Sequence, residues 1–596
     1  MRRTKETGTR IRLRIEKLRN EAEGSFEGFS VMWRYFLKNK QQEKHEDKIK
    51  IIPLGGLDQI GMNITLFEYK NDIIIIDCGL AFPDEEMLGI DLVIPDFAYL
   101  KQNADKVRGL VVTHGHEDHI GAIPYLLKEL NIPVYGSRLT LGLVENKLKE
   151  HKILEKCKLK SVGMGQSVRL GKFRAEFIRT NHSIPDAAAI AIHTPLGVII
   201  HSGDFKVDYT PIYGKAIDVH RLAELGREGV LALLADSTNV LREGYTMSES
   251  TVGKSFDEIF NENKGRRLIV ATFASNVDRV QQIINSAKAH RRKVAVEGRS
   301  MVNVVTTAQE LGYIKMPKNM LISSDELDNY KDSQVVIITT GSQGEPLSAL
   351  SRIANNTHRK ISIKEGDLVI LSSKPIPGNE KYIARVINGL YKKGADVIYE
   401  DTHVSGHACR EELKLLHTLV HPHYFIPVHG EYRHLKSHQE LAVELGMQKK
   451  DVYILENGNV FALSQDGGEV VDKIPIETVL VDGLGVGDVG DVVLRDRQKL
   501  SQDGLIVVSI VVDRYTSEIL ASPEIVSRGF IYVKENASLM DDIKDIVSRS
   551  LERATMKNIH DWTKIKTMIR DDIREYLWQY LKRSPMVLPV LTQVEV

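Results

Sequence analysis

The chain has 596 residues, a length that predicts three or four domain-sized units rather than one. Its 80 Lys and Arg residues balance 80 Asp and Glu residues, so any nucleic acid must be met by a local basic groove, not by net charge. Cys78, Cys157 and Cys409 have neither metal nor redox spacing, which argues against a disulfide-stabilised secreted protein. No apolar run is long enough to span a bilayer, so we expect a cytoplasmic protein without a membrane partner.

Residues 1–49 form a basic N-terminal extension. The first twenty positions hold eight Lys and Arg residues against Glu6 and Glu16. The segment lacks the apolar core of a secretory signal, and the glutamates argue against a transit peptide. We expect a disordered tail, or a start codon assigned upstream of Met32; the functional alternative is an arm that binds nucleic acid.

The segment after the apolar run 109–112 is the most informative of the chain. The run predicts a strand, and Thr-His-Gly-His-Glu-Asp-His follows it at 113–119. Side chains alternate along an extended backbone, so His114 and His116 can point to one side, whereas Asp118 and His119 fall on the following turn. Imidazole and carboxylate ligands suit zinc or manganese, so this spacing predicts two adjacent divalent metal ions rather than a histidine-rich surface loop.

Further candidate ligands lie where other predicted strands end. Runs such as 73–76, 198–200 and 425–428 are apolar and lead directly into a polar side chain or a short polar motif. Taken singly, a histidine at a strand end is more often structural, so these positions gain weight only from their order, which resembles that of a known family. They are Asp77, His182, Asp204, Asp236, His407 and His429.

This order of residues resembles the metallo-β-lactamase superfamily, and the motifs at Asp236, His407 and His429 resemble its β-CASP nucleases. From residue 50 to the C-terminus the chain is similar to the ribonuclease J family of bacteria. Supporting motifs are Gly55-Gly56, Gly341-Ser-Gln-Gly-Glu-Pro346, Pro375-Ile-Pro-Gly378 and Gly490-Asp-Val-Val-Leu-Arg-Asp-Arg497. Gln59 departs from the glutamate that the family usually carries, which concerns that loop and not the metal ligands.

The resemblance implies an α/β fold: a metallo-β-lactamase αββα sandwich with an inserted β-CASP α/β domain and a small α/β C-terminal domain. Strand and helix patterns at 267–271, 277–289 and 293–296 agree with a parallel sheet in the insert, and runs at 504–510 and 530–533 predict C-terminal strands. We expect these boundaries: extension 1–49, sandwich 50–235, insert 236–400, return of the sandwich 401–460, linker 461–490 and C-terminal domain 491–596.

The resemblance also assigns the ligands. His114, His116 and His182 would hold one metal ion, and Asp118 and His119 the other, with Asp204 bridging and His429 delivered to the metals by the returning segment. Asp77 and Asp236 would orient histidines. The expected cofactor is a pair of divalent ions per chain, zinc with manganese as the alternative.

A substrate pocket is implied as well. In the family, a pocket of this kind holds the 5′-monophosphate of RNA or an adjacent backbone phosphate. Ser275 and Asn276, at a predicted helix N-terminus, either donate to the same group or Ser275 merely caps that helix. The remaining residues of the pocket are His403, Val404, Ser405, Gly406 and His407.

The function implied is 5′→3′ exonuclease activity on single-stranded, 5′-monophosphorylated RNA, with some endonuclease activity, in mRNA decay and rRNA 5′ maturation. Two metals would supply hydroxide for attack on the phosphodiester, Asp118 or Asp204 would take its proton, and His407 would protonate the leaving 3′ oxygen. We expect a homodimer or higher oligomer, or assembly with a paralogous subunit. The rivals are a DNA nuclease or small-ester hydrolase, and a weakly catalytic or scaffolding subunit of a ribonuclease J complex.

Overall fold

The computed structural model describes residues 47–376, 379–399, 402, 404–515, 518–532 and 536–595. His403 and most of the basic extension, for which we expected an arm or a tail, lie outside these residues. The chain divides into two compact units. The first runs to Ala81 and continues over Ile94–Thr478, and the second combines Phe82–Val93 with the residues from Val479 onward.

Two mainly apolar sheets form the centre of the first unit, and buried side chains such as Phe67, Ile74, Phe177 and Ile190 fill the space between them. The larger sheet has the spatial order 20-19-1-2-3-5-6-7 and contains β1 (Ile49–Gly55), β2 (Ile64–Tyr69), β3 (Asp72–Ile76), β5 (Val107–Val111), β6 (Val134–Gly136), β7 (Leu159–Ser161), β19 (Asn459–Ser464) and β20 (Gly467–Lys473). The smaller sheet has the order 18-12-11-10-9-8 and contains β8 (Ser167–Leu170), β9 (Phe173–Arg179), β10 (Ala188–Thr194), β11 (Gly197–His201), β12 (Val230–Asp236) and β18 (Tyr424–Val428).

Helices cover the outer faces of both sheets. On the side of the larger sheet, α4 packs against β6 and β7, and on the other side Leu225, Leu413 and Leu441 seal the smaller sheet. This arrangement confirms the predicted αββα sandwich. The helices are α1 (Ala98–Gln102), α2 (Glu117–Ile120), α3 (Ile123–Glu129), α4 (Arg138–Glu150), α5 (Val219–Glu228), α11 (Arg410–Val420) and α12 (Tyr432–Glu444).

The inserted domain lies between β12 and β18 in the chain and has its own parallel sheet, in the order 14-15-13-16-17. The strand–helix–strand pattern predicted from 267 to 296 is confirmed. Its strands are β13 (Leu268–Ala271), β14 (Lys293–Glu297), β15 (Val335–Thr339), β16 (Leu368–Leu371) and β17 (Asp396–Ile398). Its helices are α6 (Ser250–Glu262), α7 (Val277–Ala289), α8 (Arg299–Glu310), α9 (Ala349–Ala354) and α10 (Glu380–Tyr391).

The second unit is a small α/β domain in which two long helices pack on one face of a three-stranded sheet, with Ile506, Val547 and Ile573 in its core. The sheet has the order 24-23-25 and contains β23 (Leu505–Asp513), β24 (Glu524–Arg528) and β25 (Met586–Val594). A second small sheet contains β4 (Leu92–Ile94), β21 (Val479–Asp482) and β22 (Gly485–Val486), and the helices are α13 (Asp491–Asp503), α14 (Ala537–Met556) and α15 (Trp562–Leu581).

Two sequence predictions are wrong, one about a linker and one about a strand. Residues 461–490 are not a continuous linker, because β19 and β20 form a hairpin on β1, with Phe461 and Leu463 fully buried. The apolar run 460–463 indicates a strand, but the Gly-rich stretch that follows it in the sequence favoured the prediction of a linker. Residues 530–532 are not a strand either: β24 ends at Arg528, Gly529 has a φ of 67°, and Phe530 turns into the core.

Within the described part of the chain, no helix combines the length and the apolar composition that crossing a membrane requires.

Candidate metal centre

The candidate ligands meet at one rim of the sandwich because the strands that carry them end there. In the larger sheet, β3 leads into Asp77 and the parallel β5 leads into the 113–119 segment. In the smaller sheet, β11, β12 and β18 are parallel neighbours, and they lead to Asp204, Asp236 and His429. Carboxyl ends of parallel strands lie at the same edge of a sheet, so residues far apart in sequence converge.

A first cluster consists of three histidine rings. His116 Nδ1 lies 3.1 Å from His114 Nε2 and 3.0 Å from His182 Nε2. The other ring nitrogens have partners of their own: His182 Nδ1 donates to the carbonyl of Gly406 at 2.7 Å, and His114 Nδ1 lies 3.0 Å from Thr113 Oγ1. Thr113 Oγ1 donates to Asp77, so it accepts from His114.

These hydrogen bonds fix the tautomers of the first cluster. With protons on His114 Nδ1 and His182 Nδ1, the Nε2 atoms of both rings present lone pairs to His116 Nδ1. One proton cannot satisfy three converging nitrogens, whereas one divalent cation can accept all three lone pairs. The donor set therefore fits a zinc-type ion.

A second cluster combines Asp118, His119, Asp204 and His429, whose candidate ligand atoms all lie within 4.8 Å of one another. His119 Nδ1 donates to Asp77 at 2.8 Å, so its Nε2 carries the lone pair and faces Asp204 Oδ2 at 3.2 Å. His429 Nε2 faces Asp118 Oδ2 at 3.2 Å. A lone pair directed at a carboxylate is stabilised by a cation between them, so this set also fits a divalent ion.

Asp204 lies between the two clusters. Its Oδ2 is 3.7 Å from His114 Nε2 and 3.8 Å from His182 Nε2, as well as 3.2 Å from His119 Nε2. The side chain is only 3% exposed, so its charge is shielded from water. This position suits a carboxylate shared by two metal ions.

Asp236 connects the end of the returning segment with this centre. Its Oδ2 accepts from His407 Nδ1 at 2.8 Å, and its Oδ1 lies 3.4 Å from His429 Nδ1. Asp236 holds the proton on His407 Nδ1, so Nε2 of His407 points away from Asp236. Among the described residues, Nε2 has no hydrogen-bond partner. The side chains of His407 and Asp118 are 20% and 29% exposed, so the centre is open to solvent at these two residues.

Two glycines allow the ligands to approach this closely. A Cβ on Gly79 would lie 1.7 Å from the carbonyl oxygen of Asp118, and one on Gly406 would lie 2.4 Å from His182 Cε1. Side chains at either position would displace a ligand. Asp77 and His429 themselves have left-handed backbones, with φ of 60° and 55°, a strain that non-glycine residues carry mainly at functional sites.

The electrostatics of the two clusters differ. Burial lowers the pKa of His116 to about 4 and holds the pKa of His114 and His182 well below the ordinary value, so this cluster is neutral. Burial also opposes charge on His429, but Asp204, Asp118 and Asp236 outweigh it and raise its pKa to about 10. The carboxylates of the second cluster thus favour protons on His429 and on His119, whose pKa they also hold well above the ordinary value, and a divalent cation would displace these protons.

The segment 404–407 forms a small polar surface beside His182. Ser405 Oγ accepts from Asn239 Nδ2 at 2.8 Å and from the backbone N–H of His407 at 3.3 Å, which leaves its own hydroxyl proton available. Val404 and Gly406 complete the segment, and Asn239 Nδ2 also holds the carbonyl of His407 at 3.0 Å. His403, predicted to join them, lies outside the described residues.

The alternative in which Ser275 caps the helix is wrong, whereas donation by Ser275 and Asn276 to a phosphate stays a prediction. Asn276, not Ser275, caps α7: its Oδ1 accepts from the backbone N–H of Arg279 at 3.0 Å. The cap is thus the asparagine one position later, which engages its oxygen within the helix. Arg279 in turn donates to the carbonyl of Thr402 at 2.7 Å, so this helix end lies beside the start of the 404–407 segment.

Sequence reasoning missed the polar residues that hold the ligands. Thr113 donates to Asp77, Thr238 Oγ1 lies 2.8 Å from His429 Nδ1, and Asn63 Nδ2 donates to the carbonyl of Asp118 at 3.1 Å. Thr113 and Thr238 stand close to predicted ligands in the sequence, and Asn63 follows the Gly55-Gly56 motif by a few residues. The sequence could not predict these hydrogen bonds, because the hydroxyl and amide groups meet their partners only in the folded chain.

Family models match four parts of the chain. The metallo-beta-lactamase superfamily matches residues 58–214, and the ribonuclease J beta-CASP domain matches residues 265–390. The Zn-dependent metallo-hydrolase RNA specificity domain matches 396–455, and the ribonuclease J C-terminal domain matches 492–594.

Whole-chain comparisons agree. Ribonuclease J2 of Bacillus subtilis is 42% identical over 93% of this chain and 100% of its own length, and ribonuclease J 1 of Streptococcus pyogenes is 43% identical over 91% and 98%. Ribonuclease J of Synechocystis is 44% identical over 91% and 86%. A solved structure of a protein of unknown function from Enterococcus faecalis V583 covers 70% of this chain with a TM-score of 0.51 and 17% identity, a likeness of fold alone.

Proposed function

The chain belongs to the ribonuclease J family, and on that premise we propose that it hydrolyses RNA with two divalent metal ions, zinc or manganese. The substrate is single-stranded RNA with a 5′-monophosphate, degraded from 5′ to 3′, with some endonuclease activity. The observation that carries the proposal is the pair of donor clusters that meet at Asp204. A complete donor set favours a catalytic chain over a scaffolding subunit.

Two divalent ions, held by His114, His116 and His182 and by Asp118, His119 and His429 with Asp204 between them, would supply a nucleophile at neutral pH and neutralise charge on the phosphate oxygens. Each residue then has a definable part. Asp118, the most exposed carboxylate of the second cluster, accepts the proton of the attacking water, with Asp204 as the alternative acceptor. As the new P–O bond forms, the bond from phosphorus to the 3′ oxygen breaks.

His407 supplies the proton that the leaving 3′ oxygen needs. Asp236 holds its Nδ1–H, and Asp236 and Asp204 outweigh burial and raise the pKa of His407, so the ring can carry the second proton on Nε2. His407 lies on the rim together with Asp118, where an extended substrate can reach both.

The 5′-phosphate is placed next to the 404–407 segment. Ser405 can donate its hydroxyl proton to a phosphate oxygen while Asn239 holds its Oγ from behind. A chain end fixed here would present its first phosphodiester to the centre, which accounts for stepwise removal of nucleotides. Processing of mRNA and of rRNA 5′ ends, and assembly as homodimer or with a paralogous subunit, belong to the same proposal.

The test uses one RNA sequence with a 5′-monophosphate, 5′-triphosphate or 5′-hydroxyl end, and the matching DNA, in Mn²⁺, Zn²⁺ or EDTA. Mononucleotide release from the monophosphorylated RNA alone, abolished by EDTA, is the expected result. The His116→Ala variant removes one ligand of the first cluster and should be inactive. Unchanged RNA decay by that variant refutes the metal mechanism, and equal turnover of the DNA refutes the substrate.

A further inference from the structure

Helix α10 of the inserted domain carries a stripe of cationic and polar side chains. Lys381, Arg385, Asn388 and Lys392 follow one another at spacings of four, three and four residues, which places them on one face of the helix. All four are exposed. At 1.5 Å per residue the stripe extends over about 16 Å.

The stripe lines a groove whose floor consists of small residues. We call it the α10 groove: besides the stripe it includes Lys393, and Ala354, Ala384 and Gly389 form its floor. Its volume is about 790 Å³. Ala354 and Gly389 bring α9 and α10 close together, since a Cβ on Gly389 would already lie 3.6 Å from the carbonyl oxygen of Ala354.

The cations of this groove outnumber the carboxylates of α10, whose acidic residue is Glu380 in the first turn. Among the described residues, no ion pair is recorded for its lysines or for Arg385, in contrast to helix cations such as Lys414, which pairs with Glu411 at 2.8 Å. The whole chain has a formal net charge of 0, so a cluster of unpaired cations marks a surface suited to a polyanion.

The groove begins on the side of the inserted domain that lies next to the candidate centre. α10 follows β16 and runs back antiparallel to it, so its first residues lie at the carboxyl edge of the inserted sheet. At that edge Ser372 Oγ donates to the carbonyl of Thr402, which precedes the segment with His407. The stripe therefore starts near the 404–407 segment and leads away from it.

We propose that the α10 groove binds the sugar-phosphate backbone of the RNA substrate outside the nucleotides that occupy the candidate centre; this inference rests on the proposed function. The lining residues favour RNA over an acidic protein, because they include no aromatic or large apolar side chain that could anchor a protein partner. Long cationic side chains above a small-residue floor bind phosphates without regard to base sequence.

The test compares oligo(U) of 5 and 30 nucleotides, with binding measured by fluorescence anisotropy, which does not require turnover. The variant Lys381→Ala, Arg385→Ala, Lys392→Ala changes only exposed helix positions. It should bind the 30-mer at least tenfold more weakly in 0.1 M salt and the 5-mer within twofold of the wild type. Loss of three phosphate contacts should reduce the slope of log affinity against log salt by about 2.

Further variants separate charge from folding. Lys381→Arg, Arg385→Lys, Lys392→Arg keeps the charge and should retain 30-mer affinity, whereas Ala384→Glu places a carboxylate in the groove and should reduce it. A control variant removes equal charge elsewhere and should bind as the wild type does. It replaces three exposed lysines, which have no ion pair among the described residues, by alanine: Lys318, Lys449 and Lys450.

Unchanged binding of the 30-mer by the triple alanine variant overturns the inference and leaves an acidic protein as the occupant to consider. Equal losses on both oligonucleotides also overturn it, because they indicate damage to the centre or the fold. If the wild type binds the 30-mer through this groove but cleaves no RNA, the proposed function fails and the binding surface stands.

Discussion

The substitution Asp77→Asn tests how the carboxylate behind the ligands controls metal binding. Asp77 is 1% exposed and accepts three hydrogen bonds: Oδ1 from the backbone N–H of Thr113 at 2.7 Å, and Oδ2 from Thr113 Oγ1 and His119 Nδ1, both at 2.8 Å. Asparagine has nearly the same shape, but it replaces Oδ2 by an amide group that donates. The change thus alters one acceptor and little volume.

The substitution changes the tautomer of His119. Opposite a donating amide, its Nδ1 must become an acceptor, and the proton moves to Nε2, the atom directed at Asp204. A protonated Nε2 cannot bind a metal. Loss of such an orienting partner typically costs 10- to 100-fold in metal affinity, or about 1.4–2.8 kcal/mol. We expect the larger loss at the second cluster, to which His119 belongs, and a smaller loss at the first, because Thr113 Oγ1 can no longer donate to residue 77 and the tautomer of His114 loses that support.

Competition with a chromophoric chelator measures both binding steps, and the melting temperature reports on the fold. Asp72→Asn is the matched control: it makes the same change at the opposite end of β3, where Asp72 pairs with Arg108 at 2.5 Å. The control should bind two metal ions as the wild type does. Two metal ions held by Asp77→Asn with affinities within twofold of the wild type would refute the tautomer argument.

Three further outcomes are expected. Asp236→Asn keeps an oxygen for the N–H of Thr238 but removes the charge that supports His407 as proton donor, so kcat on RNA should fall about 10²- to 10⁴-fold; a decrease below threefold would contradict that role. Glu176 accepts from His193 and Arg221, which outweigh burial and lower its pKa from 4.5 to about 2, so it contributes stability above pH 4.5 that disappears as the pH falls toward 2. Glu176→Gln should therefore lower the unfolding free energy by about 2–3 kcal/mol at pH 7, and a difference in denaturant titrations that stays constant down to pH 3 speaks against the ion pairs. Dialysis against EDTA should lower the melting temperature and added Zn²⁺ should restore it, since ions bound only to the native state stabilise it; a melting temperature indifferent to both treatments would argue against bound metal.

Local pattern was enough to predict that these candidate ligands lie close together, because they follow apolar strands. The segment 113–119 and the strand ends at Asp77, Asp204 and Asp236 all carry the signal in adjacent residues. The alternation of strands and helices likewise sufficed for the parallel sheet of the insert. Both are properties of short stretches of chain, which sequence reasoning reads well.

Features that depend on tertiary partners escaped prediction. Thr113 and Thr238 matter through hydroxyl hydrogen bonds whose geometry only the folded chain determines. The hairpin β19–β20 looked like linker because its strand neighbour β1 is about 400 residues earlier in the chain. Whether Ser275 or Asn276 caps α7 depends on a shift of one residue, below the precision with which helix ends can be inferred.

The order in which the chain supplies β12 and β18 has a consequence for biosynthesis. These strands are neighbours in the smaller sheet, yet the whole inserted domain is synthesised between them. A nascent chain that has passed Asp236 holds most of the candidate metal ligands but lacks His407 and His429, so the candidate centre stays incomplete until the insert has been made. Late closure of this sheet thus delays completion of the candidate centre until synthesis of the domain is nearly complete.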